Sequence, residues 1–213
     1  MKEEYRYNKH HGIFKVLVPR EISGTSKHMN DFIRSKGEVY KKYEDDEKTF
    51  LKNNPDVELK ERNQIIDEWS ADSGGYHTNT GLMKYMKRES KSEIHPGWEK
   101  GVQELDAQIT GRLNEPIIVF RTTEIADNEM KIGGIIDKDG FIATSLSREQ
   151  SIKSGKHKTT VEVQVPAKFR CLYLGEKTGN PGGNEKELLF PDEYEIKLTS
   201  IKTGDFKGKM IKK

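Results

Sequence analysis

The chain has 213 residues, and 37 Lys+Arg against 35 Asp+Glu leave a formal net charge of +2, too little for a global field that holds a polyanion. Apolar residues make up 32% and charged residues 34%, which predicts a lean core under a heavily charged surface. The single cysteine, Cys171, excludes an intrachain disulfide framework and a multi-thiolate zinc cluster.

In chain order, Met1–His11 is polar and charged, and the apolar run Ile13–Val18 is too short for a signal core or a membrane span. His10-His11 has no further ligand nearby and predicts no metal site. Thr25 and Ser26 can cap a helix carrying Met29, Phe32, Ile33, Val39 and Tyr40. Beyond the break at Pro55, Leu59, Arg62, Ile65, Ile66 and Trp69 predict a second helix, closed by Gly74-Gly75. A third is expected over Tyr76–Lys87, with Tyr76, Asn79, Leu82, Met83 and Met86. Trp98, Val102, Leu105, Ile109 and Leu113 form one continuous stripe and predict a fourth helix.

After Pro116 the pattern turns to β. Ile117–Thr123 is a β-forming run that carries Arg121, and Asp137-Lys138-Asp139-Gly140 reads as a hairpin turn before Phe141–Ser147. Val161, Val163 and Val165 alternate with polar residues, and Cys171–Leu174 is a short strand. Gly175–Asn184 is too rich in Gly and Pro for a ladder and must be a loop. Lys186–Phe190 and Glu193–Ile201 complete the strands, and Lys207, Lys209, Lys212 and Lys213 read as a frayed, solvated end. Helices first and strands afterwards predict an α+β fold in one domain over 1–213, mainly helical over 1–114 with a β core over 115–213.

Three groups stand out chemically. Glu185 and Glu187 follow the Gly-rich loop, and on a strand residues i and i+2 share a face, so both carboxylates can enter one cleft. Two carboxylates that close repel unless a cation or a reaction uses them. Glu193-Tyr194-Glu195 has the same pattern but lies inside a strand-like stretch. Arg121, at the end of an apolar run, either forms a structural ion pair or aims its planar fork at a carboxylate or phosphate. Alternation puts Ala143, Ser145 and Ser147 on one face of their strand and Thr144 on the other.

Arg121 in IVFRTT, then ATSLS, then the Glu-x-Glu of NEKELLFP resembles the Arg, Ser-Thr-Ser and Glu-x-Glu signature of bacterial mono-ADP-ribosyltransferases, above all clostridial exoenzymes and binary-toxin enzymatic components. The resemblance covers about Tyr76 to Ile201 and reaches the earlier residues only loosely. It implies N-terminal helices packed on two antiparallel or mixed sheets that form an NAD-binding cleft. It assigns Glu187 as the carboxylate that stabilises the ribosyl cation and bonds the ribose 2′-hydroxyl, and Glu185 as the group that orients an incoming guanidinium. It gives Arg121 the pyrophosphate, and it places Tyr76, Asn79, Thr144 and Ser145 on the dinucleotide. One departure is visible: the first serine of Ser-Thr-Ser, which braces the catalytic glutamate in the family, falls on Ala143. Ser145 supplies the hydroxyl instead, or Ser145-Leu146-Ser147 occupies the motif, or activity is reduced. The family's phosphate loop looks short here, with Lys156, His157 and Lys158 available to serve it.

The resemblance therefore implies transfer of ADP-ribose from NAD to a macromolecular acceptor, a protein arginine first and a nucleic acid as an open alternative, with no metal. The rival readings are an NAD glycohydrolase and a non-catalytic interaction module. A chain without a readable secretion signal or membrane segment is expected in its own cytoplasm or delivered into the cytosol of a target cell, with a delivery component or an inhibitor as further partners.

Overall fold

A computed structural model of the chain describes residues 2–8, 12–18, 39–44, 46–70, 97–137, 139–154, 159–175, 185–202 and 205–213. Several expectations fall outside these residues: the helix expected from Thr25 as far as residue 38, the helix carrying Tyr76 and Asn79, His10-His11, Lys156–Lys158 and most of the Gly-rich loop. Val39 and Tyr40, expected in the first of these helices, are described and are not helical, because the chain there leads straight into the strand that starts at Lys41.

The first two strands, of seven residues each, were not expected. Strand β1 (Lys2–Asn8) pairs antiparallel with β2 (Gly12–Val18), from Lys2↔Val18 to Asn8↔Gly12. β1 carries two tyrosines and β2 Ile, Phe and two valines, residues that suit a pleated ladder. This hairpin belongs to a small unit of its own, and Tyr40–Ile201 with Asp205–Lys213 forms the main one.

Within the main unit the elements run β3 (Lys41–Lys42), α1 (Glu47–Asn53), a 3-10 turn (Pro55–Val57), α2 (Gln64–Ser70), α3 (Gly97–Gln108), β4 (Ile117–Thr123), β5 (Ile135–Ile136), β6 (Ile142–Ser145), α4 (Arg148–Ser154), β7 (Thr159–Val165), β8 (Leu172–Tyr173), β9 (Glu187–Phe190), β10 (Tyr194–Lys202) and β11 (Asp205–Lys212). This is the α+β architecture expected. Nine strands among the described residues join in the order β5-β10-β11-β7-β4-β6-β9-β8, with β3 added parallel to β4. The two sheets implied by the resemblance are thus one hydrogen-bonded path. It narrows between β4 and β6, where Phe120 and Ser145 are the registered pair, whereas β4 and β7 pair over seven residues.

Three local expectations are corrected. Lys207, Lys209 and Lys212 are not a frayed end: β11 lies between β10 and β7, parallel to β7 from Phe206↔Val161 to Lys209↔Gln164, with Met210 fully buried. The alternating lysines hide a strand whose intervening positions face the core. Leu59 is not helical, because its N–H donates to the Tyr173 carbonyl at 3.1 Å, and the helix begins only at Gln64. Asp137–Gly140 closes no hairpin. β5 pairs with β10, β6 pairs with β4 and β9, and left-handed residues at Asp137 (φ 49°) and Gly140 (φ 102°) turn the chain between them.

The stripe of α3 also outlasts its helix. The helix stops at Gln108, yet Ile109 and Leu113 are fully buried, since Leu113 N–H donates to Phe169 O and Cys171 N–H to Gly111 O. Gly111 is required there, because a Cβ would overlap the Asp56 carbonyl and lie 2.6 Å from Val57 Cα. Those neighbours are backbone atoms, which leaves no flexible side chain to yield. Gly111→Ala is therefore expected to cost about 2–3 kcal/mol and lower Tm by roughly 5–10 °C in calorimetry, with unchanged far-UV circular dichroism at about 20 °C.

One buried cluster spans the sheet through Val119, Val161, Val163, Leu188, Phe190 and Met210. A second joins Ile65, Ile66 and Trp69 of α2 and Leu105 of α3 to Phe141, Leu172 and Leu189. Successive residues of β9, Leu188 and Leu189, thus enter different clusters, as strand alternation requires.

Candidate active site

Alternation along β9 places Glu187 on the Leu189 side, the side that packs on α2 and α3. Glu187 registers opposite Ser145, and Leu189 opposite Ala143. Paired residues in an antiparallel ladder project to the same face. Ala143, Ser145 and Glu187 therefore share the face toward α2.

Glu187 is half-buried, and Trp69 Nε1–H donates to its Oε1 at 3.0 Å. Burial pushes its pKa up from 4.5 to about 7. The indole bond pulls it down, the Glu185 charge pushes it up, and the Arg121 charge pulls it down. The Glu185 and Arg121 charges thus both act on Glu187, in opposite directions. The strand-face argument for the glutamate pair is nevertheless corrected. Lys186 is left-handed (φ 48°) and the strand begins only at Glu187. Glu185 is brought close by that kink in the backbone, not by an extended i, i+2 alternation.

The kink is tied down by β6. Ser145 Oγ–H donates to the Glu185 carbonyl at 2.7 Å, and Leu146 N–H donates to the Lys186 carbonyl at 3.1 Å. Ser145 Oγ also accepts from Ser147 N–H at 3.0 Å. Thr144 is buried, on the opposite face, and its hydroxyl donates to the Leu188 carbonyl at 3.0 Å. Ser147 lies beyond the strand and accepts from Gln150 N–H at the start of α4.

Arg121 forms the structural ion pair that is one of its two sequence readings. Its Nε–H and Nη2–H donate to Asp137 at 2.9 and 3.0 Å, a bidentate ion pair, and its Nη1–H donates to the Ala143 carbonyl at 2.8 Å. That last bond ties the guanidinium to the β6 backbone, although Arg121 follows Phe120, the residue registered with Ser145, and so leaves β4 on the opposite face from Ser145 and Glu187. Thr123 Oγ1–H donates to the same Asp137 carboxylate at 3.3 Å. Glu193, from the second Glu-x-Glu, lies in a turn at the far end of β10, within reach of Arg170 and Lys212. Cys171 is fully buried, and burial pushes its thiol far up, as a core residue's would be.

Two residues of this constellation escaped the sequence reading. Trp69 was legible only as the last apolar position of a helix, and Asp137 only as part of a turn. Nothing in their local sequence tells that one would meet Glu187 and the other Arg121. Among the described residues, no group of three or more His, Cys, Asp or Glu is placed to hold a metal ion. Among them, too, no helix is long and apolar enough to cross a membrane.

Comparison with known proteins gives a consistent result. The family model described as ADP-ribosyltransferase exoenzyme matches residues 41–211. No curated protein matches the chain in sequence. Among solved structures, an S. aureus protein of the C3 type, determined with NAD, aligns at 13% identity and TM-score 0.60 over 82% of this chain and 99% of that one. An ADP-ribosyltransferase from Clostridium botulinum aligns at 14% identity and TM-score 0.55 over the same shares, 82% and 99%. The ADP-ribosylating component of a C. perfringens binary enterotoxin, solved with NADH, aligns at 16% identity and TM-score 0.53 over 99% of this chain and 55% of that one. At these identities the likeness is one of fold.

Proposed function

The chain belongs to the ADP-ribosyltransferase exoenzyme family, and on that premise we propose that it transfers ADP-ribose from NAD to a protein arginine through Glu187, Glu185 and Arg121. The observation that carries the reading is Glu187, a carboxylate oriented by an indole N–H and electrostatically coupled to a second carboxylate and a guanidinium. A positive group for a diphosphate and a negative group for a ribose are the two features a dinucleotide of this kind demands, and both reach β6.

NAD supplies a glycosidic bond to a cationic nicotinamide, a leaving group that needs no proton from the protein. As that bond breaks, positive charge grows on the ribose, and a fixed carboxylate beside it is the direct way to lower the barrier. Glu187 fits that task only when ionised. With its pKa raised to about 7, activity is expected to climb through the neutral range. Glu185 takes the proton that the arginine nitrogen gives up as its bond to the ribose carbon forms. Ser145 serves the site through the backbone, holding the Glu185 carbonyl and with it the turn that presents both carboxylates. Thr144, with its hydroxyl on the Leu188 carbonyl, supports the β6–β9 pairing behind the site. Tyr76 and Asn79 complete this reading as residues lining the dinucleotide. The macromolecular acceptor, and action in the cytosol of the chain's own cell or of a target cell, belong to the same proposal.

Labelled NAD tests it. The purified chain is expected to release nicotinamide and to mark an arginine-containing acceptor. Glu185→Gln is expected to reduce transfer to arginine by at least about tenfold while much of the nicotinamide release continues with water as acceptor. Equal loss of both rates in Glu185→Gln would contradict the separate roles. Nicotinamide release by the wild-type chain with no marked acceptor would make the protein an NAD glycohydrolase instead.

A further inference from the structure

The brace on the reacting carboxylate comes from an unexpected element. A hydroxyl has one hydrogen to give. On β6 the Thr144 hydrogen goes to Leu188 O and the Ser145 hydrogen to Glu185 O, while Ala143 has no hydroxyl. Ser147 lies past the strand's end, at the start of α4. The strand facing Glu187 has thus committed its hydroxyl hydrogens elsewhere, and the side-chain donor described on the carboxylate is Trp69, from α2.

We propose that Trp69 is the positioning residue of the reaction, its indole N–H fixing the Glu187 carboxylate in place of a strand hydroxyl. The indole is suited to this. It is 4% exposed, it meets Phe141 edge-on at a centroid distance of 5.7 Å, and it packs in the cluster that joins α2 and α3 to Leu172 and Leu189. The donor therefore belongs to the body of the fold and loses little freedom on bonding. A neutral indole also holds the oxygen without cancelling its charge, which an arginine or lysine there would do. The same bond lowers the carboxylate's pKa against the burial that raises it. Trp69 thereby orients Glu187 and keeps more of it ionised at neutral pH.

This inference rests on Glu187 as the reacting carboxylate, and the experiment separates the two. The chain has two tryptophans, so its indole N–H region holds two resonances, and Trp98→Phe assigns them. In the wild type the Trp69 indole resonance is expected to titrate with a midpoint near pH 7, and in Glu187→Gln that titration should vanish. An indole insensitive to pH, or one that still titrates in Glu187→Gln, overturns the proposal whatever the activity. In the enzyme assay, Trp69→Phe keeps most of the ring and removes the donor. Its kcat for nicotinamide release should fall about tenfold or more with KM for NAD within about twofold, and the acid limb of its pH profile should move to higher pH. Wild-type kcat with an unmoved acid limb would overturn the positioning role. If the wild-type chain releases no nicotinamide, the enzymatic reading fails. The titration then decides by itself whether Trp69 holds the carboxylate.

Discussion

Glu187→Gln is expected to lower nicotinamide release and acceptor labelling on the order of a hundred- to thousandfold while making the folded protein more stable above pH 7. The loss of rate follows from removing a negative charge that matters most when positive charge grows on the ribose, so it belongs in kcat more than in KM. The gain in stability follows from burial. The folded carboxylate has a pKa of about 7 against an ordinary 4.5. Below pH 4.5 both folded and unfolded chains hold the proton, and the group adds no cost. Between 4.5 and 7 the folded chain holds a proton that the unfolded chain has released, so stability falls as pH rises. Above 7 the full cost is present, on the order of 3 kcal/mol for a shift of this size. Glutamine carries no such cost. Thermal melts at about pH 8 and pH 4.5 check this: the variant should exceed the wild type by several degrees at the higher pH and match it at the lower. A variant that is less stable in the alkaline melt, or one that keeps its kcat, would contradict the account of this carboxylate as a functional group held at a cost to the fold.

Arg121→Ala is expected to do two kinds of damage, which a second substitution can separate. Removing the guanidinium strands Asp137, whose side chain is only 12% exposed, and takes away the donor to the Ala143 carbonyl. Breaking one side of such a pair costs about 3 kcal/mol, most of it the desolvation of the carboxylate left behind. The same substitution should raise KM for NAD by at least about tenfold, because the guanidinium is the cation proposed for the diphosphate. Adding Asp137→Ala removes the stranded charge. In the double variant the melting temperature should recover by more than half, while KM for NAD stays high. If NAD affinity recovered together with stability, Arg121 would be a structural residue only, and the ion pair would be its whole purpose. The two effects are separable because the pair and the proposed ligand use different properties of the same group: the pair needs only a neutralised carboxylate, the dinucleotide needs a cation.

Strands with a strong alternating or continuous apolar pattern were legible. Ile117–Thr123 forms β4 with those bounds, and the Val161–Val165 alternation lies within β7. The apolar stripe of α3 was legible as a buried surface, although its last residues lie beyond the helix, because the periodicity of Ile109 and Leu113 reports burial and not helical hydrogen bonding. β11 was hidden for the opposite reason. Its lysines dominate the composition, and Gly208 gives no sign from sequence that Ile196 leaves room for little else.

The order Arg121, Ser145, Glu187 was set by the sequence alone, and with it the family, since each residue stands on a strand whose pattern can be read locally. Which partner each would meet was decided only in three dimensions. Trp69 reaches Glu187 across 118 positions of chain, and Asp137 reaches Arg121 across 16 through a backbone turned by left-handed residues. A side chain's local neighbours fix whether it lies on a helix or a strand. The electrostatic setting of a carboxylate is fixed by whatever the packed core delivers to it, and that depends on contacts no local pattern encodes.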